Sequence, residues 1–115
     1  MFLGKEVRIF LKPQAQDSLA ELKSRTDKEA VMLVRSIERA ISLLKENLQF
    51  GNPVAKNLIP EQMKQDGIKN LYRIELSNFW RLLYTVEGNQ LYVFAFVLNI
   101  VDHPTYNKIF GYRKR

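Results

Sequence analysis

Cysteine is absent from the chain. Its absence removes disulfides, thiolate nucleophiles and thiolate metal ligands together, and it fits a reducing, cytoplasmic setting. Histidine is represented by His103 alone, which argues against a structural zinc site, so neither a metal nor another cofactor is expected. Long hydrophobic runs are missing as well. The longest, Leu91 to Val101 with Asn99 interrupting it, is too short to span a bilayer, and Met1-Phe-Leu-Gly-Lys-Glu6 lacks the apolar stretch of a signal peptide. A soluble, cytoplasmic protein with no membrane partner is the expectation. Acidic residues are few beside basic ones: 12 Asp and Glu face 18 Lys and Arg, for a net charge of +6 and a pI near 9.7. Such a field favours polyanions, so nucleic acid, or an acidic protein masking the same face, leads the partner classes.

At 115 residues the chain reads as one domain, residues 1–115, able to bury roughly two thirds of its unfolded surface around a single core. Val7 to Leu11 is rich in β-branched and aromatic residues and stops at Lys12-Pro13, which predicts a first strand. Gln14 to Lys23 predicts a helix with Ala15, Leu19 and Leu22 on one face. Thr26-Asp-Lys-Glu29 reads as a capping box, the Thr26 hydroxyl and Glu29 carboxylate serving the free amides of a second helix. Ala30, Val34, Ile37, Ile41, Leu44 and Leu48 then recur at helical spacing. Phe50-Gly51-Asn52-Pro53 is expected to end that helix, with Gly51 as a left-handed cap. Val54 to Lys69 reads as an irregular loop with a short turn near Glu61 to Lys64.

Three strand-like runs follow, Leu71 to Leu76, Phe79 to Glu87 and Gln90 to Leu98. A tight turn at Gly88-Asn89 would pair Val86 with Leu91, Tyr84 with Val93 and Leu82 with Ala95, an apolar face able to receive the long helix. Arg81, Leu83, Thr85, Tyr92, Phe94 and Phe96 would share the other face, too apolar to be wholly solvated. A C-terminal segment or a partner should cover part of it. A turn from Ser77 to Trp80 would place Arg73 and Glu75 on the face of Arg81. The expected fold class is α+β: an N-terminal strand, a helical hairpin, then a three-stranded antiparallel meander in a single twisted sheet packed by the helices.

Charges inside these strands must face water, find a partner or do work, because burying one unpaired costs several kcal/mol or more. Metal-independent cleavage of RNA needs a cation for the non-bridging oxygens, a base for the 2′-hydroxyl and an acid for the leaving oxygen. Arg73 and Arg81 offer planar, permanently charged groups matched to phosphate. His103 is the side chain whose ordinary pKa lies near neutrality, which makes it a proton carrier or, equally in character, a surface or capping residue. Tyr106 is either a packing aromatic or a group that stacks on a base or orients phosphate. Glu75 is either a base or a salt-bridge partner of an arginine. Lys69, Lys108 and the tail residues Tyr112, Arg113, Lys114 and Arg115 combine charge and aromaticity suited to RNA, as a frayed basic terminus also would.

Tyr72-Arg73-Ile74-Glu75-Leu76, then Trp80-Arg81-Leu82-Leu83-Tyr84, then His103-Pro-Thr-Tyr106 resemble the strand and C-terminal motifs of the RelE/ParE superfamily of toxins from type II toxin–antitoxin systems. The resemblance covers most of the chain. It implies an α+β toxin fold and, on the RelE-like branch, an mRNA-cleaving endoribonuclease acting on the ribosome, with an antitoxin protein as cognate partner. Arg81 matches the arginine that stabilises the cleaved phosphate; Arg73 stands where such members have a lysine; His103 and Tyr106 match the region of proton transfer and base stacking. Glu75 departs from the pattern, replacing a second lysine. A ParE-like gyrase inhibitor, or an inactive relative that binds protein or RNA, is the alternative the resemblance leaves open.

Overall fold

The computed structural model describes residues 4–111; Tyr112, Arg113, Lys114 and Arg115 therefore lie outside the described residues. Strand β1 (Glu6–Leu11) leads into a helical hairpin of α1 (Pro13–Ser24) and α2 (Lys28–Glu46). A two-residue strand β2 (Asn52–Pro53), a 3-10 turn at Lys56–Leu58 and a short α3 (Glu61–Gln65) follow. Strands β3 (Tyr72–Glu75), β4 (Arg81–Gly88) and β5 (Tyr92–Val101) form the expected meander, and α4 (His103–Ile109) closes the order. The sheet is single, mixed and five-stranded, in the order β1-β5-β4-β3-β2, with β1 parallel to β5 and the other pairs antiparallel. The α+β class is as expected, and β2 and α4 are additions. Among the described residues no helix is long and apolar enough to cross a membrane.

Two local expectations about α2 are corrected. Its cap is Asp27, not Thr26: the Asp27 carboxylate accepts from the Ala30 amide, and Arg25 grips it through two bonds of 2.8 and 2.9 Å. A charged acceptor also complements the positive helix start better than a hydroxyl does. Arg25 and the Ala30 amide together hold Asp27 below its ordinary carboxylate value. The helix ends at Glu46 with extended Asn47, well before Gly51. Gly51 is not a left-handed cap; it is a close-approach residue. A Cβ there would lie 2.7 Å from Tyr84 Cε1 and 3.0 Å from the Arg73 carbonyl oxygen.

Ala30, Leu33, Ile37, Ala40 and Leu44 line the inner face of α2 and are buried against Ile74, Leu82, Tyr84, Val93, Ala95, Val97 and Ile100 of the sheet. Each fully buried leucine of this kind is worth about 1.5–3 kcal/mol of transfer free energy. The Tyr84 hydroxyl is embedded in this core with both bonds made, accepting from Gly51 N at 2.9 Å and donating to Leu48 O at 2.8 Å. Burial pushes its pKa up to about 12. A second, smaller cluster fills the opposite face: Leu71, Leu83 and Val101 of the sheet side pack with Ile59 and with Tyr106 of α4. The C-terminal segment thus supplies part of the cover that the apolar second face required.

Strand register sets what shares that face. Val86 pairs with Ala95 rather than Leu91, and Tyr84 with Val97 rather than Val93, because the chain reverses over Asn89–Tyr92 and not at Gly88-Asn89. Asn89 Oδ1 accepts from the Leu91 and Tyr92 amides, a side-chain turn that outcompetes the tight one. The slip is even at Val86 and Tyr84, and at Leu82, which pairs with Ile100 rather than Ala95, the extra residue is taken up by a bulge, so each residue keeps its expected face. A bulge at Leu83/Tyr84, with Leu83 opposite Asn99 and Tyr84 opposite Val97, adds Leu98 to β5. Between β3 and β4 the loop is Ser77–Phe79, closed by Leu76 N to Trp80 O at 2.8 Å, one residue shorter than expected. It is this three-residue loop, not the expected four-residue turn, that sets Glu75 directly opposite Arg81 and Arg73 opposite Leu83, so the three charges share a face; the longer turn would have paired Leu76 with Arg81 and put Glu75 on the other side. Asn78 and Phe79 take φ of 57° and 64°. For a ring-bearing residue that conformation is an outlier costing about 1–3 kcal/mol.

Candidate active site

Arg81 is the first residue of β4, and only 11% of its side chain is exposed. Its Nη1 donates to the Phe79 carbonyl at 2.6 Å and to the Trp80 carbonyl at 3.4 Å. Its Nη2 lies 3.9 Å from Glu75 Oε1, and its Cζ stands 5.3 Å from the centroid of the Tyr106 ring. Nε is buried with no hydrogen-bond partner. The guanidinium is therefore fixed in position by backbone and ring, yet keeps an unmatched donor. A buried donor left unmatched costs about 1–3 kcal/mol, so stability alone does not account for this arginine. Glu75 is 61% exposed on its side chain, and an ion pair of that length and exposure adds little.

Asp102 starts α4 by accepting from the Thr105 amide at 3.0 Å, which places His103 in the first helical turn with Pro104 behind it. The helix carries His103 to the surface and turns Tyr106, one turn later, into the sheet, where it is 3% exposed. Arg73 Nη1 donates to the Tyr106 hydroxyl at 3.1 Å, and the Phe110 ring lies 4.6 Å from the Tyr106 ring, centroid to centroid. A ring this buried has no face to offer a base. Tyr106 is the post that joins the two arginines, gripping Arg73 by its hydroxyl and Arg81 by its π-face. The base-stacking role expected of it is corrected on that ground.

His103 stays exposed at the rim, with Asn107 Nδ2 3.3 Å from its Nε2 and the Phe79 ring 6.3 Å away, centroid to centroid, at 56°. The structure thus brings Arg73, Glu75, Arg81 and Tyr106 into direct contact and links His103 to them through Phe79. Lys108 is exposed in the last turn of α4, while Lys69 is exposed in the loop ahead of β3, at the far end of that strand from Glu75. Two neighbours escaped sequence reasoning. Asn107 was visible only once α4 existed, at one helical turn from His103. Phe79 gave one signal, an apolar ring in a Ser-Asn-Phe turn where Gly is the usual choice.

Chemically, the cluster combines two immobilised guanidinium groups, an exposed carboxylate and an exposed imidazole at one edge of the sheet. Among the described residues no group of His, Asp and Glu is arranged to hold a metal ion. On the same sheet face, beyond Ile109 of α4, lies a cavity of about 670 Å³ lined in part by Lys12, Thr85, Phe96, Leu98 and Asn99. No protein-family model matches this chain, and no curated protein matches it significantly.

Proposed function

We propose that the chain is a RelE-like toxin of the RelE/ParE superfamily, an endoribonuclease that cleaves mRNA, on the ribosome, without a metal. The observation that carries this reading is the pair of guanidinium groups joined through Tyr106, with Arg81 largely enclosed and fixed in place. Positive charge fixed in a partly dry site favours the transition state of phosphoryl transfer more than it favours bound substrate. In the cleavage step the RNA 2′-hydroxyl attacks the neighbouring phosphorus. Its proton passes to Glu75 as the base; the bond to the 5′-oxygen breaks, and that oxygen takes a proton from the imidazolium of His103. The products are a 2′,3′-cyclic phosphate and a 5′-hydroxyl end. Arg81 and Arg73 hold the phosphate oxygens, and Tyr106 holds the arginines. Lys69 and Lys108 extend the basic surface, and an acidic antitoxin would neutralise it.

Expression in a bacterial host tests the reading. Wild type arrests growth and depletes intact mRNA, and an Arg81→Ala/His103→Ala double variant does neither. Equal arrest by the two proteins overturns it. One observation favours a second reading, a non-enzymatic gyrase inhibitor or binding module: Glu75 faces Arg81 directly in the strand pairing and lowers the positive potential there. That reading requires arrest with intact mRNA.

A further inference from the structure

Phe79 combines features that a turn residue does not need. Its ring is apolar yet 70% exposed, and its backbone sits at φ 64°, where glycine or asparagine would rest without strain. The loop that holds it is tied down on both sides. Towards the sheet, its carbonyl accepts from Arg81 Nη1 at 2.6 Å, and Trp80 N donates to Ser77 O. Towards α2, Ser77 N donates to Ser36 Oγ and the Asn78 side chain bonds Glu29. A strained backbone braced from two elements presents one ring to solvent beside an arginine and a histidine, with little ordering left to be done when a ligand arrives.

We infer that Phe79 is a nucleobase-stacking platform for one unpaired base of single-stranded RNA next to the phosphate held by Arg81, with the His103 ring tilted against its flank. This rests on the ribonuclease reading for the identity of the nucleic acid. RNA is favoured over a protein partner because the exposed ring stands on a loop whose carbonyl is held by Arg81 and has His103 beside it, on a chain of net charge +6. A flat π-face beside fixed positive charge matches a base joined to its phosphate, whereas a protein anchor would want an apolar rim. The same geometry explains how a site whose Tyr106 is buried still offers an aromatic surface.

The test uses an uncleavable 2′-O-methyl single-stranded oligonucleotide and the same backbone with abasic sugars, so that binding is read apart from chemistry. Wild type is expected to prefer the base-containing probe. Phe79→Gly is expected to lose that preference, binding the base-containing probe about 10-fold more weakly, while its unfolding midpoint stays level or rises as the strain is relieved. Phe79→Tyr keeps the preference. The inference is overturned if wild type binds both probes alike, if Phe79→Gly binds as wild type does, or if the glycine variant loses stability together with affinity. Failure of the ribonuclease reading would appear elsewhere, as unmodified RNA left intact by wild type.

Discussion

On the helix-covered face of the sheet the Tyr84 hydroxyl is buried with both of its bonds made, to Gly51 and Leu48, whereas on the opposite face Arg81 is half-buried and its enclosed Nε is unmatched. The first arrangement is what packing for stability produces: an apolar surround, a satisfied polar atom, and a glycine kept small so that the ring can approach. The second face keeps two arginines and a carboxylate among apolar neighbours, and a strained phenylalanine at its edge. Local rules of stability are broken together in one place, a pattern that belongs to sites rather than to cores.

The contrast can be broken by substitution. Leu82→Ala, on the helix-covered face, should have the largest effect, lowering the unfolding free energy in urea by about 2–5 kcal/mol because Leu82 is fully buried. Tyr84→Phe should lower it by about 1–3 kcal/mol, since the Gly51 amide and the Leu48 carbonyl lose their buried partner. Arg81→Met, of similar length on the other face, should change stability by less than about 1 kcal/mol, because the Phe79 carbonyl it releases is at an exposed bond that water can replace, and the unmatched donor and weakly paired charge are removed with it. A loss as large as that of Tyr84→Phe would make Arg81 a structural residue and erase the distinction. The smallest effect is expected away from both faces, at Asp27. Arg25 and the Ala30 amide hold its carboxyl below the ordinary carboxylate range, so its contribution is present above that ordinary range and is lost as the pH falls through the lower folded value. Asp27→Asn should therefore flatten the fall of the thermal midpoint in acid and leave the rest of its pH profile unchanged.

Much of this architecture was legible in the sequence, for reasons that particular residues make plain. The helical spacing of Ala30, Ile37 and Leu44 and the alternation of Leu82 with Tyr84 each report a buried face directly, and burial follows them. The β4–β5 register was not legible, because Gly88-Asn89 advertises a tight turn while the Asn89 side chain stabilises a longer one. Period-two faces survived that error, whereas the grouping of Arg73, Glu75 and Arg81 rests on the β3–β4 loop, whose three residues are one fewer than expected. The candidate site was readable in its membership and not in its roles. Whether Tyr106 stacks on a base or joins two arginines depends on how α4 docks, a tertiary fact that His103-Pro-Thr-Tyr106 does not encode by itself. The left-handed backbone of Phe79 sits in a turn tied at one side by Arg81 and at the other by Ser36 of α2, the latter remote in the chain.

The most direct test of the central claim, that the second face is a metal-independent RNA-cleaving site centred on Arg81, is cleavage of translated mRNA in a purified ribosomal system containing wild type or Arg81→Ala, with the ends of the products mapped. Wild type should yield 2′,3′-cyclic phosphate and 5′-hydroxyl ends, and Arg81→Ala should cleave about 100- to 1000-fold more slowly. Undamaged mRNA with wild type, or an Arg81→Ala variant as fast as wild type, would contradict the account.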